Sequence, residues 1–176
     1  MGVITEADQA AFRQDASHGR SEKWTTERVL SIRYWTPTLL SFRTTRYRGF
    51  RFTPGHYTRL GLRAGDASRG DVVWRPFSVA SAAYEDFLEF IAVLVPGGEF
   101  SEALRQLRAG DTMRVDKASY GFLGVDQLAP GKDLWLLASG TGLGPFLSIL
   151  RDPAVWQSYQ RLIVAHSVRH SSELAW

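Results

Sequence analysis

Six short segments between Trp24 and Val115 are rich in β-branched and aromatic residues, and several of them alternate polar with apolar positions. Turn-forming pairs such as Pro54-Gly55 and Gly110-Asp111 separate the segments, as expected between strands. Alternation is typical of strands with one solvated face, and six such strands in so short a stretch favour a closed antiparallel barrel. The predicted strands cover 29–34, 39–43, 57–62, 73–79, 88–95 and 112–115, and a helix is predicted over 101–107 from apolar residues at helical spacing.

The pattern changes after Gly131. Residues 134–138 form a continuous apolar run, which is typical of a strand buried on both faces in a parallel sheet. A helix is predicted over 145–150, a second helix over 153–159, and a further apolar strand over 162–165. This succession of strand, helix and strand predicts a parallel βαβ unit.

The two patterns place a domain boundary near Pro130-Gly131. We expect an N-terminal arm over 1–23, a six-stranded antiparallel Greek-key barrel over 24–130, and a partial Rossmann-like parallel α/β domain over 131–176. The last part is shorter than the ~100 residues of a typical independent domain. We therefore expect it either to pack on the barrel or to belong to a longer chain, and its end at Trp176 favours the longer chain.

Composition removes several classes of function. The 176 residues include no cysteine, which excludes disulfides, thiolate nucleophiles, iron–sulfur clusters and cysteine-based zinc sites. No apolar run approaches the ~20 residues of a membrane span, and the N-terminus has no apolar signal core, so a cytoplasmic protein without a membrane partner is expected. Neither a P-loop nor a G-x-S-x-G elbow occurs, so kinase and hydrolase functions have no support.

The net charge of +3 is unevenly distributed, because ten arginines and two acids lie between Arg28 and Arg75. Such a local excess attracts anions and can steer an acidic partner. A solvated surface is the alternative. Since the arginines are dispersed along strands and form no compact basic helix, nucleic acid is not expected as a partner.

The segment Arg75-Pro76-Phe77-Ser78 puts a cation, an aromatic ring and a hydroxyl on one predicted strand. Side chains alternate along a strand, so Arg75 and Phe77 share a face and Ser78 points the other way. The guanidinium suits a phosphate, the ring suits a flat aromatic ligand, and the hydroxyl suits a heteroatom at that ligand's edge. An ordinary strand with a core Phe and a surface Arg is the alternative.

Two glycine-containing turns supply further candidate sites. Pro96-Gly97-Gly98-Glu99-Phe100-Ser101 leads into a predicted helix, whose free N–H groups and positive dipole end suit a phosphate. A simple turn with Ser101 as N-cap is the alternative. Gly140-Thr141-Gly142-Leu143-Gly144-Pro145 departs from the G-x-G-x-x-G fingerprint, yet it still joins an apolar strand to a helix with Pro145 expected at the first helical position. It predicts a nucleotide-binding turn, and a plain βα turn is the alternative.

The end of the next strand points to the nucleotide. An acid there would bind ribose hydroxyls, whereas an arginine suits a 2′-phosphate. The strand ends in His166-Ser167-Val168-Arg169 with no acid before Glu173, which favours NADP(H), with a plain surface arginine as the alternative. His166 and His170 have the spacing of a helical metal pair but fall at a strand end without a partner acid, so a core or loop role is expected and no metal site.

These four motifs, in this order, resemble the ferredoxin–NADP(+) reductase family of the bacterial type that also serves flavodoxin. The resemblance runs from about Trp24 to Trp176 and includes the R-x-[Y/F]-S motif at Arg75–Ser78. Phe77 stands where many members have Tyr. Family members also continue beyond this chain's end with a second basic site and a C-terminal aromatic residue.

The resemblance implies a monomeric flavoprotein oxidoreductase that passes electrons between NADP(H), bound FAD and an acidic carrier, ferredoxin or flavodoxin. A FAD-binding module without turnover is the alternative, and a barrel that binds only a protein partner is a third possibility. By resemblance, Ser78 would lie near the reactive ring nitrogen of the flavin, as the catalytic residue. The implied cofactor-binding residues are Arg75, Pro76, Phe77, Ser78, Leu94, Val95, Glu99, Phe100 and Ser101 for FAD, and Thr141, Gly142, Val168 and Arg169 for the nicotinamide nucleotide.

Overall fold

A computed structural model describes residues 22–63 and 72–175 of the chain. The predicted arm over 1–23 therefore lies almost entirely outside the described residues. The first part of the described chain holds six strands and one α-helix: β1 (Trp24–Tyr34), β2 (Leu39–Thr45), β3 (Tyr57–Arg63), β4 (Val72–Ser78), β5 (Phe87–Val93), α1 (Glu99–Gln106) and β6 (Thr112–Asp116).

The six strands form one antiparallel sheet in the order β4-β3-β6-β1-β2-β5. The two outer strands approach each other where β4 ends, because the Ala80 N–H donates to the Glu89 carbonyl of β5 at 2.8 Å. Elsewhere in the described chain β4 and β5 share no ladder. The predicted antiparallel barrel is therefore confirmed in the form of a half-barrel.

Alternating side chains fill the interior of the half-barrel. In β3, Thr58, Leu60 and Leu62 are buried, whereas Tyr57 and Arg59 are exposed. Apolar residues of the other strands meet the same interior, since burial of such side chains is the main favourable term in folding. The largest fully buried side chains include Phe42, Phe50, Phe90, Leu40, Leu60, Leu88, Leu94 and Leu104.

The last part of the chain is a small parallel α/β unit. Its elements are β7 (Asp133–Ser139), α2 (Leu143–Leu150), α3 (Pro153–Ser158) and β8 (Arg161–Ser167). β7 and β8 pair in parallel, with Leu136 opposite Val164. The predicted βαβ unit and the overall fold class are thus confirmed, whereas the predicted domain boundary at residue 130 remains a prediction.

Only one face of β7 is buried. Leu134 and Leu136 pack with Ile149, Val155 and Tyr159 of the helical layer, but Trp135 and Leu137 are 60% and 68% exposed. The expected burial on both faces is therefore wrong. Its physical reason is that α2 and α3 lie on the same side of this sheet, and no described element covers the other side.

Both helices that follow glycine-rich turns begin two residues earlier than predicted. α1 begins at Glu99 after Gly98, and Ser101 does not cap it, because its Oγ accepts from the Val95 N–H at 2.9 Å. α2 begins at Leu143, which puts Pro145 at the third helical position. Proline is tolerated there because the first-turn N–H groups have no intrahelical acceptor. No helix in the described ranges has the length and hydropathy needed to cross a membrane.

We expect Phe90→Ala to lower the free energy of unfolding by about 3–5 kcal/mol, because it leaves a cavity among buried rings. The Phe90 ring is fully buried, and its centroid lies 5.4 Å from that of Phe42. Phe122→Ala is the matched control, since Phe122 is 94% exposed, and it should change stability by less than about 0.5 kcal/mol. Urea unfolding of both variants measures the difference, and equal losses would contradict this account of the core.

Candidate functional site

A cleft of about 480 Å³ separates the half-barrel from the α/β unit. Its barrel wall is apolar and comes from Leu39, Ile91 and Val93. Its other wall combines the glycine-rich turn with the end of β8, the two segments that the sequence predicts to bind a nucleotide. The residues of that second wall are Ser139, Gly140, Thr141, Leu143, His166, Ser167, Val168, Arg169 and Glu173.

The glycine-rich turn leaves its backbone open. Gly140 has a φ of +52°, in the left-handed region, and forms a short 3₁₀ turn with Thr141 and Gly142. A Cβ built on Gly140 or Gly142 would meet nothing within 4 Å. Such a turn at the start of a helix lets a ligand approach the main chain closely.

His166 lines the cleft, which sequence reasoning did not anticipate. Its Nε2 lies 3.0 Å from the Gly140 carbonyl oxygen, so the imidazole connects the end of β8 to the glycine-rich turn. The parallel pairing of Ala138 with His166 explains the contact, because it puts both strand ends at the same edge of the sheet. A histidine at the end of a strand that runs parallel to the strand before the glycine turn is the signal that could have found it.

Arg169 and Glu173 complete the mouth of the cleft. Arg169 is exposed, and the described residues place no carboxylate within salt-bridge distance of its guanidinium. The Glu173 carboxylate accepts from the backbone N–H groups of Arg169 at 3.1 Å and His170 at 3.3 Å. Glu173 therefore fixes the backbone of this segment, and the Arg169 side chain keeps its donors.

The register of β4 gives Arg75 and Phe77 one face, as predicted. Arg75 is opposite Leu60, and Phe77 is opposite Thr58. Arg75 is exposed and its Nη1 donates to the Trp74 carbonyl at 2.9 Å. Within the described chain no carboxylate pairs with it, so most of its donors face solvent.

Phe77 is half-buried and fixed by aromatic neighbours. Its ring centroid lies 5.3 Å from that of Phe100, 6.2 Å from Phe42 and 6.3 Å from Phe90. The contact with Phe100 brings the start of α1 beside the Arg75–Ser78 segment. Two motifs whose contacting rings are 23 positions apart in sequence thereby meet on the half-barrel.

Ser78 turns to the opposite face and meets the α/β unit. A Cβ built on Gly144 would lie 3.8 Å from the Ser78 Cβ and 3.8 Å from Ile91 Cδ1. Ile91 belongs to the wall of the cleft. The structure thus brings the first and the third of the four predicted motifs together beside the wall of the cleft.

The segment from Leu94 to Ser101 uses part of its backbone internally. The Leu94 N–H donates to the Thr38 carbonyl at 2.8 Å. The Val95 N–H donates to Ser101 Oγ. The Val95 side chain is exposed. The first bond into α1 comes from Glu102 N–H. The preceding N–H groups therefore have no intrahelical acceptor, and they belong to Glu99, Phe100 and Ser101.

The predicted residues fall into two adjacent sets. Thr141, Val168 and Arg169 line the 480 Å³ cleft, and Gly142 adjoins it in the same turn. Ser78 does not line the cleft but lies beside Gly144 of the next turn of chain. The other predicted residues belong to the half-barrel and do not line this cleft: Arg75, Pro76, Phe77, Leu94, Val95, Glu99, Phe100 and Ser101.

Sequence comparison identifies the first part of the chain. The family model described as the oxidoreductase FAD-binding domain matches residues 29–122, which is more than half of the chain. The chain belongs to this family. The matched range contains β2 to β6 completely and β1 from Val29 onward.

Named relatives confirm the resemblance that the motifs carry. The chain is 44% identical over 151 residues to the ferredoxin–NADP reductase of Pseudomonas aeruginosa, covering 86% of this chain and 57% of the relative. It is 37% identical over 148 residues to the flavodoxin/ferredoxin–NADP reductase of Rhodobacter capsulatus, covering 84% of this chain and 54% of that protein. The chain therefore spans little more than half the length of these relatives.

A solved structure gives the same result for the fold. The ferredoxin NADP+ reductase of Neisseria gonorrhoeae, with bound FAD and NADP, matches with a TM-score of 0.82 and 38% sequence identity. The match covers 88% of this chain and 61% of that one. The similarity extends over both the FAD-binding half-barrel and the α/β unit of the present chain.

We expect Gly144→Ala to leave stability unchanged or to raise it by up to about 1 kcal/mol, because alanine favours helix. Its Cβ meets its neighbours at ordinary contact distance. Gly140→Ala, in the same turn, should instead cost about 1–2 kcal/mol, because Gly140 has a positive φ that strains a Cβ. Thermal unfolding of the two variants measures the difference, and a loss in the Gly144 variant as large as that in the Gly140 variant would contradict the ordinary contact distance at Gly144.

Proposed function

We propose that the chain is a flavoprotein reductase that passes electrons between NADP(H), bound FAD and an acidic carrier, ferredoxin or flavodoxin. The observation that carries the proposal is the approach of Gly144 to Ser78, because it brings the predicted nucleotide turn of the α/β unit beside the predicted FAD motif of the half-barrel. Relatives named ferredoxin–NADP reductase support it, as does the Neisseria protein, whose structure holds both FAD and NADP.

The predicted site residues of the half-barrel fit FAD. Arg75 is exposed and free of described carboxylates, so its guanidinium would bind the diphosphate. The first-turn N–H groups of α1 would donate to the same anion. Phe77, fixed against Phe100, would flank the isoalloxazine, and the Ser78 hydroxyl would hold a hydrogen bond at the edge of that ring.

The cleft residues fit NADP(H). The open backbone at Gly140 and Gly142 and the N-terminus of α2 would receive the diphosphate. Arg169 would bind the 2′-phosphate, with Val168 beside it. Thr141 would lie between the nicotinamide and flavin sites.

The division of labour between protein and cofactor follows from these contacts. When bound, FAD supplies the chemistry, accepting a hydride and giving up electrons singly. The protein binds and orients the two rings, and Leu39, Ile91 and Val93 form an apolar wall that excludes water. Hydride transfer requires no general acid or base, so none needs to be assigned.

The basic surface would favour an acidic carrier. Arg28, Arg33 and Arg48 are all exposed on the half-barrel. Complementary charge increases the rate of association more than it changes affinity. Ferredoxin or flavodoxin is therefore the proposed partner.

A second candidate is a FAD-binding module without reductase turnover. It is favoured by one observation, that the chain spans only 57% of its Pseudomonas relative. Both candidates require a bound flavin, and they differ in whether NADPH can reduce it.

We expect anaerobic NADPH to bleach the visible absorbance of the FAD-loaded protein. The reason is that the nucleotide turn and the flavin motif meet at Ser78 and Gly144. An absorbance titration under argon measures the loss of colour, with dithionite as the control for complete reduction. Persistent colour with NADPH would favour the module, and a protein that stays colourless after addition of FAD would contradict both candidates.

Arg75→Ala should weaken FAD binding by about 10- to 100-fold, because a charge-assisted hydrogen bond contributes about 1.5–3 kcal/mol. Arg28→Ala is the matched control, since Arg28 is also an exposed strand arginine but lies on β1, in the middle of the sheet. Quenching of FAD fluorescence measures both dissociation constants. Equal affinities in the two variants would overturn the assignment of Arg75 to the diphosphate.

A further inference from the structure

One face of α2 docks on the half-barrel through three residues. Gly144, Ser148 and Arg151 are spaced i, i+4 and i+7, which puts them on one side of a helix. The helix ends at Leu150, and Arg151 is its C-cap. The set of contacts made by these three residues is called here the docking seam.

The first two contacts of the seam are close and buried. At Gly144 the helix comes near Ser78, since a Cβ built on the glycine would lie at an ordinary contact distance of 3.8 Å from the Ser78 Cβ. One turn later the Ser148 hydroxyl donates to the Ser81 carbonyl at 2.7 Å, with both residues fully buried. The Ser81 hydroxyl in turn accepts from the Glu89 N–H at 3.1 Å.

Arg151 makes the third contact through a carboxylate of the barrel. Its Nη1 donates to Glu89 Oε2 at 2.7 Å and to the Ala80 carbonyl at 2.9 Å. The other oxygen of Glu89 accepts from Arg43 Nε at 2.9 Å. Glu89 is 5% exposed, so one buried carboxylate joins a barrel arginine to an arginine of the α/β unit.

The described residues beside these three contacts pack through apolar side chains. Around the seam, Leu39, Ala80, Ile91 and Ala175 form a small apolar cluster. Apolar burial is favourable but non-directional, so it would allow the helix to slide or rotate. A charge-assisted hydrogen bond to a buried carboxylate, such as the bond from Arg151 to Glu89, fixes the distance and angle between the two elements it joins.

We propose that Arg151 is a positioning residue: through Glu89 and Ala80 it fixes the orientation of α2, and so sets the separation between the Gly140–Gly142 turn and Ser78. The consequence for the rate of hydride transfer rests on the proposed function. Arg151 lies seven residues after Gly144, at the far end of the helix from the cleft, and therefore acts through the helix and not on a ligand.

Arg151→Met separates positioning from folding. The variant keeps the unbranched aliphatic part of the side chain, and Glu89 keeps its bond to Arg43, so no buried carboxylate is left without a cation. Arg161→Met is the matched control. It removes an exposed ion pair to Asp133 within the same α/β unit, away from the seam.

The kinetic experiment uses the full FAD-loaded chain mixed rapidly with NADPH under argon. In Arg151→Met we expect the limiting rate of flavin bleaching at saturating NADPH to fall by about 10- to 100-fold, because small misplacements of reacting groups cost rates of this order. The affinity for FAD and the NADPH concentration for half-maximal rate should change less than about threefold. Arg161→Met should match the parent.

A distance measurement tests the seam without any activity. The chain has no cysteine, so spin labels can be attached through Gln106→Cys in α1 and Gln157→Cys in α3, both exposed. We expect double electron–electron resonance to give one narrow distance distribution in the parent and in Arg161→Met, and a broadened or shifted one in Arg151→Met.

The outcomes are distinguishable. An unchanged distribution in Arg151→Met overturns the proposal, and so does a changed distribution with an unchanged limiting rate. If the parent itself is not bleached by NADPH, the proposed function fails, and the distance distributions still decide whether Arg151 fixes the orientation of α2.

Discussion

The buried carboxylate of Glu89 is the constraint on which the arrangement of the molecule depends. It sits on β5, one of the two outer strands of the half-barrel, and accepts from Arg43 on one side and Arg151 on the other. A carboxylate with little exposure requires such partners, since an unpaired charge in that position would be strongly destabilising. Through Arg151 this carboxylate ties the end of α2 to the half-barrel, and the same helix approaches Ser78 at Gly144.

The geometry divides the candidate site by chemistry. The half-barrel supplies a cation, an aromatic ring and free helix N–H groups, while the α/β unit supplies an open glycine backbone and a second cation. The two sets form a boundary where Gly144 approaches Ser78 and the cleft-wall residue Ile91. Two flat ligands bound to these surfaces would therefore meet at that boundary.

Local pattern predicted most of the fold. Alternation along β3 and the glycine and proline turns determined the six strands, and the apolar runs around Leu136 and Val164 determined the parallel pair. The start of α1 was missed because Ser101 looks like an N-cap in sequence, whereas in the structure its hydroxyl accepts from Val95. The exposure of Trp135 was missed because a continuous apolar run does not reveal on which side helices will pack.

The candidate site was predictable only where chemistry is carried by a local motif. Arg75, Phe77, Thr141 and Arg169 stand out because unusual residue types lie beside turns or strand ends. Leu39 and Val93 do not, since an apolar residue in a strand is equally consistent with any wall. The contacts of Ser148 and Arg151 were not predicted, because their partners Ser81 and Glu89 lie more than sixty positions earlier in the chain.

The docking seam also bears on how the protein unfolds. The α/β unit has few buried apolar residues of its own, and its helix α2 shares hydrogen bonds with the barrel main chain at Ala80 and Ser81. Melting of this unit alone would open those bonds and hydrate the Glu89 carboxylate, so both parts of the chain should lose structure in a single cooperative transition. Thermodynamic linkage then makes any ligand that is held by one part a stabiliser of the other as well.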